Sequence, residues 1–295
     1  MNTLDPEVLF SLIAKDVPRK LHRHLYMTGS LAAAYEYRSK LQRRGINTKD
    51  ADLMVHPAGD VVSSQEIASK LLELGWRKTK DCYPQQAASP VETLRAIRLA
   101  PPDSDAYFLE LLNIPATDQI VAKEWIPVEL DDGWYGLPSF RFMGLTAHNR
   151  KESAAGLEYA SPSTMALSNL LAHPEIGTSR IESGEMSGVL RSAKDLGRVL
   201  SLAHLAGREA TEAWVAEWQD SLQYCFPYTW RELAQRAGAG LRALLDAPDA
   251  LEEARGTVDI GLLHGLNVTE EQLIIIGERL LADAIELLEH AGQRG

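Results

Sequence analysis

Cysteine is almost absent from the chain: Cys82 and Cys225 stand alone in unrelated contexts. With no C-x-x-C pair and no Cys/His cluster, the sequence offers neither a disulfide framework nor a structural zinc site. A reduced, cytoplasmic setting is the expectation. Long apolar runs are missing as well. The longest candidate, Leu273–Ile276, sits inside an amphipathic helical pattern and falls far short of the ~20 residues that cross a bilayer. The opening stretch puts acids ahead of a short apolar run and lacks the basic start and small-residue cleavage site of a secretory leader. Internal repeats and low-complexity tracts are not seen. Positive charge is also in deficit, 30 Lys and Arg against 41 Asp and Glu, for a net −11. That balance excludes a general polyanion binder and leaves room only for a local basic face.

What remains is ordinary globular material. The 295 residues are 45% hydrophobic and 24% charged, which suits two domains. Asp5-Pro6-Glu7 reads as the cap and first turn of a helix running to about Lys15. A strand is expected over Leu21–Met27, then a Thr28-Gly29-Ser30 turn with Ser30 capping a helix to about Arg44. Ala51–Val55 reads as a strand, and Ser63–Glu66 as a capping box opening a helix that Gly75 stops. Further strands are expected near Arg77–Tyr83, Thr93–Leu99 and Ala106–Leu112, with a hairpin around Asp131-Asp132-Gly133. After Lys151 the pattern becomes helical, with Thr269–Gln272 a second capping box. The expected architecture is α+β: a mixed sheet with helices over residues 1–151, followed by an all-α domain over 152–295.

The chemistry concentrates in the first half. Asp50 and Asp52 are two apart at the head of an apolar strand, so both carboxylates leave the same face. Adjacent like charges repel unless a cation lies between them, and hard oxygen ligands of this kind suit Mg²⁺ together with substrate phosphates. As an isolated pair they read more simply as two solvated acids at a strand edge. Gly29-Ser30, between a strand and a helix, can cradle phosphate with backbone N–H groups and a hydroxyl; alone it is only a cap. Glu110 lies in the otherwise apolar Tyr107–Leu112, where an acid is costly unless paired or metal-bound. The three elements together are far more specific than any one. Two metal ions on three carboxylates can activate a hydroxyl and neutralise a leaving pyrophosphate.

In these residues the first half resembles the nucleotidyltransferase superfamily that includes DNA polymerase beta. That superfamily has a Gly-Ser after one strand, a D-x-D on the next and a third acid on a later one. Asn47-Thr48-Lys49 before the pair, and Arg191–Leu200 in the helical half, are similar to the AbiEii-like abortive-infection group, which includes toxins of type IV toxin–antitoxin pairs. The resemblance implies that Gly29 and Ser30 meet the triphosphate, with Thr48 and Lys49 beside them. Asp50, Asp52 and Glu110 would hold Mg²⁺, two ions in all, and Lys194 and Asp195 would flank the nucleotide or acceptor. It implies transfer of a nucleoside monophosphate from an NTP to a hydroxyl, with pyrophosphate released. The acceptor is left open between an RNA end, a protein and a small molecule such as an antibiotic, and an antitoxin-like protein partner is a further expectation. The alternative is a catalytically inactive relative that binds nucleotide or a partner.

Other residues carry weaker signals. His22 and His24 form an H-x-H without a third ligand nearby, and His56 follows the D-x-D strand. Trp214, Trp218 and Leu222 have the spacing of helix packing. His173 and Arg180 read as part of a structural loop. The charge is unevenly spread: residues 1–50 hold nine Lys and Arg against five acids, and residues 201–295 hold seven Arg against sixteen. The deficit therefore belongs to the helical half, and the basic excess frames the Gly-Ser and D-x-D segments.

Overall fold

A computed structural model of the chain describes residues 4–42, 44–116, 121–176, 179–182 and 187–294. The fold is α+β and divides into two compact units, residues 1–35 with 44–160, and residues 36–43 with 161–295.

The first unit begins with α1 (Pro6–Asp16), capped as the sequence predicts: the Asp5 carboxylate accepts from the Glu7 N–H. It contains α2 (Gly29–Glu36, its last residue in the second unit), α3 (Val61–Glu73) and, among the described residues, nine strands. These are β1 (Leu25–Thr28), β2 (Asp50–Val55), β3 (Arg77–Lys78), β4 (Arg98–Ala100) and β5 (Phe108–Asn113), followed by β6 (Lys123–Leu130), β7 (Gly133–Phe140), β8 (Lys151–Glu152) and β9 (Glu158–Tyr159). Seven of them form one sheet in the order β3-β4-β5-β2-β1-β9-β8. β2 runs antiparallel to β1 and parallel to β5. The Asp131–Gly133 turn joins β6 and β7 into a separate hairpin, as its turn chemistry predicts. Alternation buries Ala51 and Leu53 of β2 beside Leu109 and Leu111 of β5. Phe10 stacks on Tyr35 at 4.3 Å between ring centroids, and Tyr159 meets both edge-on.

Four local expectations need correction. The strand expected over Leu21–Met27 begins only at Leu25, since Arg19–His24 form a 3₁₀ turn in which the Pro18 carbonyl accepts from Leu21 N–H and the His22 ring bonds back to the Val17 carbonyl. The cap of α3 is Asp60, not Ser63: Asp60 Oδ1 takes the Ser63 N–H at 3.0 Å, so the helix starts a turn earlier than the capping-box pattern implies. α2 stops at Glu36, well short of Arg44, and the next residues form turns that include Gln42 at φ 53. The strands expected from Arg77 and Thr93 shrink to β3 and β4. The chain turns back at Cys82, whose N–H bonds Thr79, and Val91–Thr93 forms a 3₁₀ turn.

Among its described residues, the regular elements of the second unit are helices. Its elements are α4 (Pro162–Ile176), α5 (Arg191–Ala206), α6 (Arg208–Cys225), α7 (Trp230–Gln235), α8 (Ala239–Leu245), α9 (Pro248–Ile260), α10 (Glu270–Leu280) and α11 (Glu286–Gln293). The Thr269–Gln272 capping box opens α10 as predicted. Trp218 is fully buried beside Trp214 and donates its indole N–H to the Ser163 carbonyl. Gly197 lets α5 approach α9, since a Cβ there would lie 2.5 Å from Thr257 Oγ1. No helix among the described residues is long and apolar enough to cross a membrane.

Candidate active site

β1, β2, β5 and β4 bring the first-half acids to one end and one face of the sheet. Asp52 is the register partner of Thr28 on β1 and of Glu110 on β5, and Glu110 is in turn the partner of Arg98 on β4. Asp50 is level with Phe108, one step nearer the strand start. Register partners share a face, so Thr28, Asp50, Asp52, Glu110 and Arg98 share this one. On the opposite face the same strands bury Met27, Ala51, Leu53, Leu99, Leu109 and Leu111.

Each carboxylate has a different neighbour. Asp50 Oδ1 accepts from the Thr48 hydroxyl at 2.6 Å. The Asp52 carboxylate lies against the α-carbon of Gly29, so close that a Cβ there would collide with Oδ2. Gly29 also has φ 72, a conformation that L side chains resist. Glycine at this position is therefore required twice over. α2 starts at Gly29, directly after β1, so its first-turn N–H groups open beside Asp52. Ser30 is half-buried in that first turn, and Lys49 is exposed at the head of β2.

Glu110 is the most constrained of the three. Its side chain is 14% exposed and is held by a fork from Arg98, Nε to Oε2 at 3.2 Å and Nη2 to Oε1 at 3.3 Å. The other side of the guanidinium faces the Phe108 ring, 5.4 Å from its centroid. Burial pushes the Glu110 carboxyl above its ordinary value; Arg98 opposes this, the charge of Asp50 adds to it, and Lys123 opposes it weakly. Among the described residues, no three His, Cys, Asp or Glu side chains gather closely enough to hold a metal ion as they stand. Sequence reasoning missed Arg98. No local pattern pointed to it, because its partnership with Glu110 depends on the antiparallel pairing of β4 with β5.

The remaining sequence candidates fall elsewhere. Lys194 and Asp195 lie on α5 in the helical unit. The Asp195 carboxyl is raised by desolvation, against the pull of Arg198, Lys194 and Arg191. His22 and His24 do not act as a pair: His22 serves Val17, and His24 Nδ1 lies 3.0 Å from Asp60 Oδ2. The His56 ring is pushed down to about 4 by burial first, then by Arg150 and His24. A cavity of ≈ 70 Å³ in the helical unit is lined partly by His204, Arg208 and Arg279. Arg208 there is already matched by Glu212 and Asp283, at 2.8 and 3.2 Å.

No family profile matches the chain, and no curated protein matches it. Among solved structures, it is similar to the STING-associated CdnE c-di-GMP synthase from Capnocytophaga granulosa. The identity is 11% over 99% of this chain and 84% of that one, with a TM-score of 0.25. A likeness at that level carries no weight beside the geometry of the acidic face.

Proposed function

We propose that the acidic end of the sheet is a site of nucleotidyl transfer, moving a nucleoside monophosphate from an NTP to a hydroxyl acceptor. The observation that carries this reading is the register: Asp52 sits level with Thr28 and Glu110, with left-handed Gly29 pressed against its carboxylate. A glycine-led helix start and paired carboxylates are the two elements a magnesium-bound triphosphate needs.

The donor set suits Mg²⁺. Asp50 and Asp52 present hard oxygens on one face, in the number this ion usually takes from protein when phosphates supply others. Thr48 fixes the Asp50 carboxylate. In this reading Asp50 and Asp52 hold the ion, which supplies Lewis-acid polarisation of the phosphoryl oxygens when bound. Gly29 and Ser30 hold the phosphates through backbone N–H groups and the Ser30 hydroxyl. Lys49 offsets triphosphate charge from the head of β2. Glu110 takes the proton of the attacking hydroxyl, with Arg98 setting its orientation.

Within that class, the Lys194–Asp195 segment of α5 supports a place near the AbiEii-like group, with an antitoxin-like protein as partner. The basic balance of residues 1–50 supports an RNA end as acceptor over a cationic antibiotic. A second reading has its own observation: Arg98 occupies both oxygens of Glu110, which suits an inactive relative that only binds nucleotide. One experiment separates them. The protein is incubated with each labelled NTP, Mg²⁺ and total RNA, and nucleotide binding is measured in parallel. Transfer by the wild type and its loss in Asp50→Ala supports the enzyme. Binding without transfer supports the inactive relative. Neither binding nor transfer, with Asp50→Ala behaving as wild type, refutes both.

A further inference from the structure

The β6–β7 hairpin stands apart from the seven-stranded sheet and has two unlike faces. One carries Val128, Leu130, Tyr135 and Leu137, all buried. On the other, pairing sets Lys123 opposite Phe140 and Trp125 opposite Pro138. Lys123 is exposed there, and so is Phe140, at 39%. The Lys123 ammonium lies over both rings, 4.0 Å from the Trp125 centroid and 5.6 Å from that of Phe140. Trp125 is half-buried and held in place: a Cβ on Gly136 would lie 2.6 Å from its Cε3, so glycine there lets the indole lie against the strand. A second cation and ring adjoin this face. Gly136 donates its N–H to the Arg95 carbonyl, and the exposed Arg95 guanidinium is 5.1 Å from the centroid of the exposed Tyr83 ring. The one acid on this face of the hairpin, Glu129, lies at the turn end, level with Trp134.

We propose that this face of the hairpin, with Tyr83 and Arg95 beside it, holds the single-stranded RNA end that serves as acceptor. The proposal rests on the nucleotidyl-transfer reading and says where its acceptor lies. Charge and shape select the occupant. Exposed rings interleaved with exposed cations can stack unpaired bases and meet the phosphates between them, with little dependence on sequence. A duplex keeps its bases stacked on one another and offers these rings nothing to hold. Continuity with the acidic face selects the role. Arg95 is three residues from Arg98, at most ~11 Å of extended chain, and Arg98 grips Glu110 on that face. Lys123 also acts on the Glu110 carboxyl through its charge. A strand stacked on Trp125 and Phe140 therefore lies beside the carboxylates that the reading assigns to the transfer.

The test reads binding without relying on turnover. The full-length protein is titrated into a fluorescein-labelled, unstructured single-stranded RNA, and into the same strand annealed to its complement, with anisotropy as the signal. The single strand is expected to bind about tenfold more tightly than the duplex. Phe140→Ala is expected to weaken single-strand binding about tenfold, and Phe140→Tyr, which keeps a ring, to stay within about twofold of wild type. Lys123→Gln and Arg95→Gln should each lessen the slope of log K against log salt by ~0.7. Binding of Mg²⁺ with α,β-methylene-ATP, followed by calorimetry, should be unchanged in Phe140→Ala. Three results overturn the inference while leaving the reading of the acidic face intact: a duplex or a DNA strand of the same sequence bound more tightly than the RNA strand, a folded Phe140→Ala that binds RNA as the wild type does, or a wild type that binds the nucleotide and no RNA. If Phe140→Ala does not fold, judged by circular dichroism, the strand preference of the wild type and the salt slope of Arg95→Gln decide it. RNA held as expected by a protein that binds no Mg²⁺–nucleotide overturns the nucleotidyl-transfer reading and leaves the RNA face standing.

Discussion

Removing Arg98 and removing Glu110 should have unequal consequences for stability, and the asymmetry follows from exposure. At 3.2 Å two unit charges attract by ~5 kcal/mol at an effective dielectric near 20. The Arg98 side chain is 36% exposed, so water screens the pair to about 2 kcal/mol. Glu110 is far more buried, and its raised pKa shows that desolvation outweighs its partner. Arg98→Gln strands a buried carboxylate and should cost ~2–3 kcal/mol at pH 8. Glu110→Gln leaves a guanidinium that reaches water and should cost under ~1 kcal/mol, or stabilise. Proton linkage adds a second signature. A carboxyl with a raised folded pKa contributes stability below its unfolded value of 4.5, and that contribution is lost as pH rises through the folded value. This decline with pH should steepen in Arg98→Gln and vanish in Glu110→Gln. Urea unfolding at pH 4.5 and pH 8, followed by circular dichroism and tryptophan emission, reads both effects. Equal losses in the two variants at pH 8, or a Glu110→Gln loss above ~2 kcal/mol, would refute the assignment of cost to the buried partner.

Gly29→Ala should lose ~1–2 kcal/mol from backbone strain alone, and more binding than stability, because the new methyl displaces the Asp52 carboxylate; urea midpoints and Mg²⁺–nucleotide titration separate the two. His56, held down to about 4, is neutral in the fold while the unfolded chain is protonated below its ordinary value. Stability should therefore fall by ~3 kcal/mol from pH 6.5 to pH 4 on this account, and His56→Gln should flatten that part of the profile in urea melts. In the helical unit Arg242 grips Glu289 through two contacts of 2.7 Å, and that carboxylate also accepts from the Gly238 N–H. Arg242→Ala should cost ~3 kcal/mol by thermal or urea unfolding, and Arg242→Lys should restore only part, since a point charge cannot make both bonds.

The α+β character and the existence of most elements were legible in the sequence, because they rest on periodicity and caps that act locally. Asp5 and Thr269 cap the helices their spacing predicts. The errors came where a neighbour in space decided. Asp60 captured the Ser63 N–H and moved the start of α3, and Pro18 wound Arg19–His24 into a 3₁₀ turn that strand-like spacing concealed. For the site, the period-two spacing of Asp50 and Asp52 was enough to place them on one face. That Glu110 would fall level with Asp52 depended on a parallel pairing across more than fifty residues of chain, which no local pattern encodes. Arg98 was invisible as a partner for the same reason. Its role appears only once β4 is laid antiparallel to β5.

β2 and β5 change character along their length. Towards their C-terminal ends Leu53 and Met54 run beside Leu111 and Leu112, all buried, as folding alone would favour. At their N-terminal ends the same two strands carry Asp50, Asp52 and Glu110 on one face. There a left-handed glycine touches one carboxylate, and a buried carboxylate needs an arginine to offset its desolvation. Each of these features costs free energy, and none improves the packing of the sheet. Apolar residues at Asp52 and Glu110 would continue the pattern of the other end, and a small residue at 52 would remove one of the two reasons for glycine at 29. Departures of this kind, confined to one end of strands that are otherwise regular, mark a surface whose residues are kept for what they bind rather than for the fold. Three anionic oxygen donors beside a helix start, and one guanidinium, are the features on which the proposed nucleotidyl transfer rests.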